Sequence, residues 1–273
     1  MYSFLQLNYW LILFIILSID ELLNGGIITG DIIEIMGFAG CGKTMMVNTI
    51  ALNIAEQTDA SVIYFDTKND FSAIRLQKMM DAREIPNTEQ EKILQKIIVE
   101  KIKDVHHLIK ALNILLESPK LLSEHKIIII DSIPVIWYLY IGEAKLGLSL
   151  IIEAVGLLRK LANDHQFVII TTNLATRWSG LAPDDVFEQG TQSSDNAQSA
   201  PSSQSNLINI KATLGKDWES VPTHRIYISF LESPHRHDLE LNNVERNVSL
   251  IKSSTLDCIQ SSTIITINDR GVV

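Results

Sequence analysis

The stretch GFAGCGKT, Gly37 to Thr44, satisfies the spacing G-x-x-x-x-G-K-[ST]. It lies between the apolar run DIIEIM (Asp31–Met36) and the helix-like segment MMVNTIALNIAEQ (Met45–Gln57). This context of strand, loop and helix is what turns a loose pattern into a phosphate cradle. Glycines let the backbone fold tightly enough for its N–H groups to converge on phosphate oxygens, and the start of a helix adds a favourable dipole. Gly37, Phe38, Ala39, Gly40, Cys41, Gly42, Lys43 and Thr44 are therefore the expected nucleotide-binding set, with Lys43 at the β- and γ-phosphates of ATP. The Thr44 hydroxyl is the expected ligand of Mg²⁺. Cys41 occupies a variable position of the cradle and reads as packing.

Outward from the loop, apolar runs alternate with helical patterns, the signature of a mostly parallel sheet flanked by helices. Strands are expected at Ser61–Asp66 (SVIYFD), within KIIVEKI, at Lys126–Asp131 (KIIIID) and at Phe167–Thr172 (FVIITT). Helices are expected over Thr44–Gln57, over Phe71–Asp81, after an Asp104 N-cap, and from about Leu148 to Asn163. Asp131 ends the most apolar strand, at the sheet edge where ligands bind in such folds. It is the second expected metal residue, the alternative being a simple turn cap with Ser132. The pattern breaks after Asn173. Gln189–Asn206 is rich in Ser, Gln and Asn, cannot offset its ordering entropy by burial, and reads as a disordered insertion at about 178–210. Strands resume at RIYISF (Arg225–Phe230) and continue with VSLIKSS and TIITIN, read as an antiparallel extension of the sheet.

Bulk properties narrow the function. A chain of 273 residues with 46% hydrophobic and 20% charged residues has enough apolar content for one large core. The net charge of −9 argues against a protein that grips nucleic acid over its whole surface. Two cysteines fit a reducing compartment. The run YWLILFIIL, Tyr9 to Leu17, is too short to span a bilayer and has no basic residue before it. It reads as a buried strand or helix, or as a surface meeting a missing partner, rather than a targeting or membrane segment.

The ordered set LSIDELLNGG, GFAGCGKT, VIYFDTKNDF, KIIIIDS and FVIITTN resembles the core of the RecA-like strand-exchange recombinases. LGKDWESVPTHRI (Leu214–Ile226) is similar to an element of the eukaryotic recombinase paralogs, most like the D-type branch. The resemblance runs from about Ser18 to the C-terminus. It implies a RecA-like P-loop core, ATP and Mg²⁺ at Gly37–Thr44 with Asp131, and nuclear homologous-recombination repair. It also implies assembly with sister paralogs in a hetero-oligomer and contact with single-stranded or branched DNA. DNA-facing loops are expected near Tyr138–Leu146 and from Leu174 to about Asp217. The family's small helical N-terminal domain is absent before residue 18, either lost in this lineage or because the chain starts elsewhere than the natural protein.

Departures from the family pattern decide the activity expected. Recombinases place a glutamate two residues after the strand-end Asp to activate the attacking water; Asp66-Thr67-Lys68 places a lysine there. A cation cannot accept a proton, and loss of a general base costs about 10²–10⁴-fold. Asp70 is the substitute within reach. Glu34, inside the strand before the loop, reads as structural. Where recombinases carry a glutamine that senses the γ-phosphate, Leu174 cannot hydrogen-bond. From Trp178 to Ile210 there is no Lys or Arg, leaving Arg177, Lys211, Lys216 and Arg225 as candidate DNA contacts. Trp218 reads as packing, and Arg225 equally as a structural ion pair. The leading reading is an ATP-binding scaffold or mediator with weak or no hydrolysis. The alternatives are a DNA-stimulated ATPase that pairs strands itself, and a RecA-fold ATPase that remodels proteins. A small-molecule kinase is disfavoured because no arginine-rich lid is found.

Overall fold

The computed structural model of the chain describes residues 11–12, 14–140, 144–177, 210–214, 218–231, 243–256 and 261–273. β1 (Leu11–Ile12) pairs antiparallel with β2 (Ile27–Ile28) across α1 (Leu17–Leu22). β3 (Ile32–Gly37) then feeds α2 (Lys43–Gln57), followed by β4 (Ser61–Asp66), α3 (Ala73–Ala82), α4 (Asn87–Gln95) and β5 (Ile97–Lys101). Next come α5 (Val105–Glu117), α6 (Pro119–Glu124), β6 (His125–Asp131), α7 (Ile133–Trp137) and a 3₁₀ turn, Tyr138–Tyr140. α8 (Ala144–His165) leads to β7 (Val168–Arg177) and β8 (Ile210–Ala212). β9 (His224–Phe230), β10 (Val244–Ser253), β11 (Ser262–Asn268) and β12 (Gly271–Val272) close the chain.

The main sheet runs β12-β11-β10-β9-β3-β7-β6-β4-β5, with β8 attached to the outer part of β7. The strands from β5 to β9 in this order are parallel; β10, β11 and β12 are antiparallel. The fold is thus the expected mostly parallel sheet with an antiparallel C-terminal extension. The reversal begins one strand later than the sequence reading placed it, because RIYISF pairs parallel with β3. Side chains on successive strand positions face opposite sides. Ile127 and Ile129 enter the cluster under α2, while Ile128 and Ile130 pack against α5 and α8. Burial on both faces is why this strand reads as four consecutive isoleucines rather than as an alternation.

Several short helices escaped the sequence reading, α4 and α6 among them. α4 is mostly polar and buries only Gln90 and Ile93, too little periodicity to register. α6 is a six-residue connector. β7 extends five residues past Thr172, where β8 pairs with it at Ala175↔Ala212, Thr176↔Lys211 and Arg177↔Ile210. Of the apolar N-terminal run, Phe14 and Ile16 lie in the core beneath α2, and Leu17 is exposed. Asp20 accepts from the backbone N–H of Phe14 and Ile15, while the Asn53 amide donates to both their carbonyls. Among the described residues no helix is long and apolar enough to cross a membrane. The polar insertion at about 178–210 lies outside the described residues except for Ile210, which begins β8.

Candidate nucleotide site

The glycine loop Gly37–Thr44, the expected phosphate cradle, sits at the C-terminal edge of β3, in the middle of the sheet. Gly40 and Gly42 hold φ of 76° and 108°, a region that only glycine enters without strain. A Cβ on Gly37 would come within 2.5 Å of both the Cys41 sulfur and the Ile228 carbonyl. The loop is therefore wedged between its own cysteine and β9. Cys41 is fully buried, and desolvation pushes its thiol up despite nearby Lys43. It packs rather than reacts, as expected. α2 follows its N-cap Gly42 with no side-chain cap and no acidic residue of its own in the first turn, so no side chain of the helix itself competes for its first N–H groups. The Lys43 ammonium donates to the carbonyls of Gly37 and Phe38, at 2.8 Å each. Burial, with a further push from Lys68, lowers its pKa.

Asp131 ends β6 beside the start of α2 and is buried. Its carboxylate accepts from Thr44 Oγ1 at 2.8 Å, from the Tyr64 phenol at 3.1 Å, and from the Thr172 hydroxyl. Lys68 completes the set. Its Nζ lies 2.9 Å from Asp131 Oδ1 and donates to Thr44 Oγ1 at 2.9 Å. Thr44 and Asp131, the two residues the sequence assigned to the metal, are thus joined through an ammonium. Their oxygens are the right donor chemistry for Mg²⁺. With one oxygen of each bound to Lys68, however, the arrangement does not fit a divalent cation.

The loop after β4 explains how Lys68 gets there. Asp66, paired in register with Asp131, turns its buried carboxylate away from the cleft. It accepts the backbone N–H groups of Lys68, Asp70 and Phe71 at 3.1, 3.2 and 3.0 Å. Asn69 adopts φ 56° to close this turn. Thr67 laces the loop to the next strand end by donating to the Ser132 carbonyl and accepting its N–H, at 2.8 and 2.7 Å. Asp70 lines a cleft of about 450 Å³ together with Lys43, Thr44, Lys68 and Leu174. The sequence reading missed the bridging parts played by Tyr64, Asp66, Thr67 and Thr172. The signal available was position alone: each stands on, or just after, a strand that borders β6.

Glu34 is structural, as read. Fully buried in β3, it accepts from Asn173 Nδ2 at 2.6 Å, from Trp218 Nε1 at 2.7 Å, and from Arg225 Nε. Trp218 packs at zero exposure. Arg225 is corrected as a DNA-contact candidate: its guanidinium is buried against Glu34 and faces the core, not solvent. Two remaining candidates come together on the β7–β8 arm, Arg177 opposite Ile210 and the exposed Lys211 opposite Thr176. Lys216 lies outside the described residues, as does most of the second expected DNA loop. In the first, Tyr138 is half-exposed, Leu146 lies on α8, and residues 141–143 are outside the described set.

A family model described as Rad51 matches residues 15–185. The chain belongs to the Rad51 family. It is 28% identical over 243 residues to "DNA repair protein RAD51 homolog 4" of Mus musculus, covering 86% of this chain and 64% of that protein. It is 27% identical over 278 residues to "DNA repair protein RAD51 homolog 2" of Homo sapiens, covering 94% of this chain and 66% of that protein. "DNA repair and recombination protein RadB" of Pyrococcus furiosus shares 35% identity over 82 residues, 30% of this chain and 33% of that protein. This Rad51-family chain thus spans less than two thirds of the length of these relatives. Similarity to two different homologs supports the family and no single branch within it.

Proposed function

We propose that this chain is an ATP-binding Rad51-family paralog that acts as a scaffold or mediator in nuclear homologous-recombination DNA repair, with weak or no ATP hydrolysis. The observation that carries this reading is Lys68. It occupies the position at which the family's recombinases carry their water-activating glutamate, and it is bonded to Asp131 and Thr44. A cation there orients no water for attack and removes no proton. The phosphate loop, Lys43 and the uncapped start of α2 supply what binding requires. Bound ATP would stabilise the folded, assembled state by linkage, by about 2.7 kcal/mol at a hundredfold excess over Kd. The printed names of the relatives, all DNA repair proteins, support the repair role. Sister paralogs are the expected partners in a hetero-oligomer, and single-stranded or branched DNA is the expected ligand of Arg177 and Lys211 on the β7–β8 arm and of Lys216.

Asp70 on the cleft wall favours a second reading, an active DNA-stimulated ATPase with Asp70 as base. One experiment separates the two: ATP affinity by fluorescence titration and phosphate release with and without single-stranded DNA, for the wild type and Lys43→Ala. Binding that the variant weakens by about 10- to 100-fold, as for a lost charged hydrogen bond, with release at background, is the expected result. DNA-stimulated release well above background that Asp70→Asn abolishes overturns the scaffold reading.

A further inference from the structure

We propose that Lys68 is a built-in counter-ion: its ammonium takes the place of magnesium between Thr44 and Asp131, so that this chain binds ATP without a divalent cation. The inference rests on the nucleotide-binding reading above and deepens it. The geometry is specific. In a P-loop the hydroxyl that follows the lysine and the strand-end carboxylate converge on one cation, directly or through water. Here they converge on Nζ of Lys68, 2.9 Å from Thr44 Oγ1 and 2.9 Å from Asp131 Oδ1. The other carboxylate oxygen is taken by the Thr44 and Tyr64 hydroxyls, and Thr172 adds a third hydroxyl donor. Each Asp131 oxygen is thus already satisfied.

The placement does not depend on a mobile side chain happening to fall there. Asp66 pins the backbone at Lys68 and just after it through three N–H groups, and Thr67, the residue before Lys68, is tied to Ser132. Lys68 is still 28% exposed and lines the phosphate cleft beside Lys43. One face of its ammonium is therefore available to a phosphate oxygen. An ammonium has three donors; two are used by Thr44 and Asp131, and the third is left for the nucleotide. Lys43 and Lys68 would then neutralise the triphosphate as two point charges, in place of one lysine and a hydrated metal.

The test is ATP affinity measured twice, in magnesium and in excess EDTA, on wild type, Lys68→Ala and Lys68→Arg, with the ATP-induced shift in melting temperature as an independent readout. Wild type is expected to bind with Kd values that differ by less than about threefold between the two buffers, far under one charged hydrogen bond. Lys68→Ala is expected to bind at least about tenfold more weakly in EDTA than in magnesium, and Lys68→Arg to keep most of the metal independence. A wild type that loses about tenfold or more in EDTA overturns the role of Lys68 and leaves the nucleotide site standing. A Lys68→Ala protein that is equally indifferent to magnesium overturns it too. Failure of the wild type to bind ATP in either buffer overturns both this inference and the nucleotide-binding reading. If the alanine variant does not fold, the two wild-type titrations still decide.

Discussion

Glu34 shows how far a single buried charge can organise its surroundings. It is fully buried and accepts from an amide, an indole and a guanidinium that arrive from β7, from the segment before β9, and from β9 itself. Such a pair is costly to break because the surviving charge is left unpaired in a poor solvent. Glu34→Gln keeps the shape and an acceptor for Asn173 or Trp218 but strands Arg225. It is expected to cost about 3–5 kcal/mol, or roughly 10 °C in melting temperature. The double variant Glu34→Gln/Arg225→Met should recover at least half of that loss in the same thermal melt. A single variant that melts within about 2 °C of wild type would show the pair to be dispensable.

Lys68 is the opposite case, a charge whose partners are also those of a ligand site. A metal ion at Asp131 with Lys68 in place would set a divalent cation beside an ammonium. At 4 Å and an effective dielectric constant of 20, that repulsion is about 8 kcal/mol before relaxation. One of the two must therefore leave. At this scale the sequence was legible in part. Lys68 stood out because a cation replaced a carboxylate, but nothing in a linear string says that its side chain turns back onto Thr44.

At the scale of elements, the decisive piece is the loop between β4 and α3. Asp66 and Asp131 end neighbouring parallel strands in register, yet their carboxylates do different work. Asp131 meets α2, whereas Asp66 folds under its own loop. Asp66→Ala removes the acceptor of three backbone N–H groups and is expected to cost about 1–3 kcal/mol. Hydrogen exchange is the direct check: the amides of Lys68, Asp70 and Phe71 should lose protection while the rest of β4 keeps it. Unchanged exchange at these amides would mean that the turn holds without Asp66. The β7–β8 arm is the second telling element. FVIITT reads as ending at Thr172, and the strand continues because β8, far away in sequence, supplies a partner for Ala175, Thr176 and Arg177. Strand ends are set by such partners, and so element boundaries were the least legible part of the chain.

For the whole molecule, the described end of the apolar N-terminal run, from Phe14 onward, is packed into the domain. Phe14 and Ile16 are buried under α2, and Asp20, Asn53 and Arg83 hold the segment in a chain of hydrogen bonds that ends at the Glu56 ion pair. Phe14→Ala should destabilise by about 3–5 kcal/mol, as for other buried aromatics. Urea denaturation should show one transition with a lowered midpoint, because the run belongs to the same cooperative unit. A separate early transition, or a midpoint unchanged within error, would assign the run to an independent segment.

By itself, the sequence determined the fold class and the glycine loop between β3 and α2. Both are written locally: continuous apolar runs arise when a strand is buried on both faces, and the glycines of the loop mark backbone conformations no other residue adopts without strain. It also raised the expectation that a lysine, Lys68, replaces the glutamate of the recombinases it resembles, since that concerns one position. Tertiary structure alone decided where charges end up. Arg225 read equally as a DNA contact or a structural ion pair, and is bound to Glu34 in the core; Lys68 read as a lost base and lies between Thr44 and Asp131. A charged side chain takes whichever partner the fold brings within about 3 Å. Those partners, Glu34, Thr44 and Asp131, lie 191, 24 and 63 residues away in the chain, separations that no local pattern encodes.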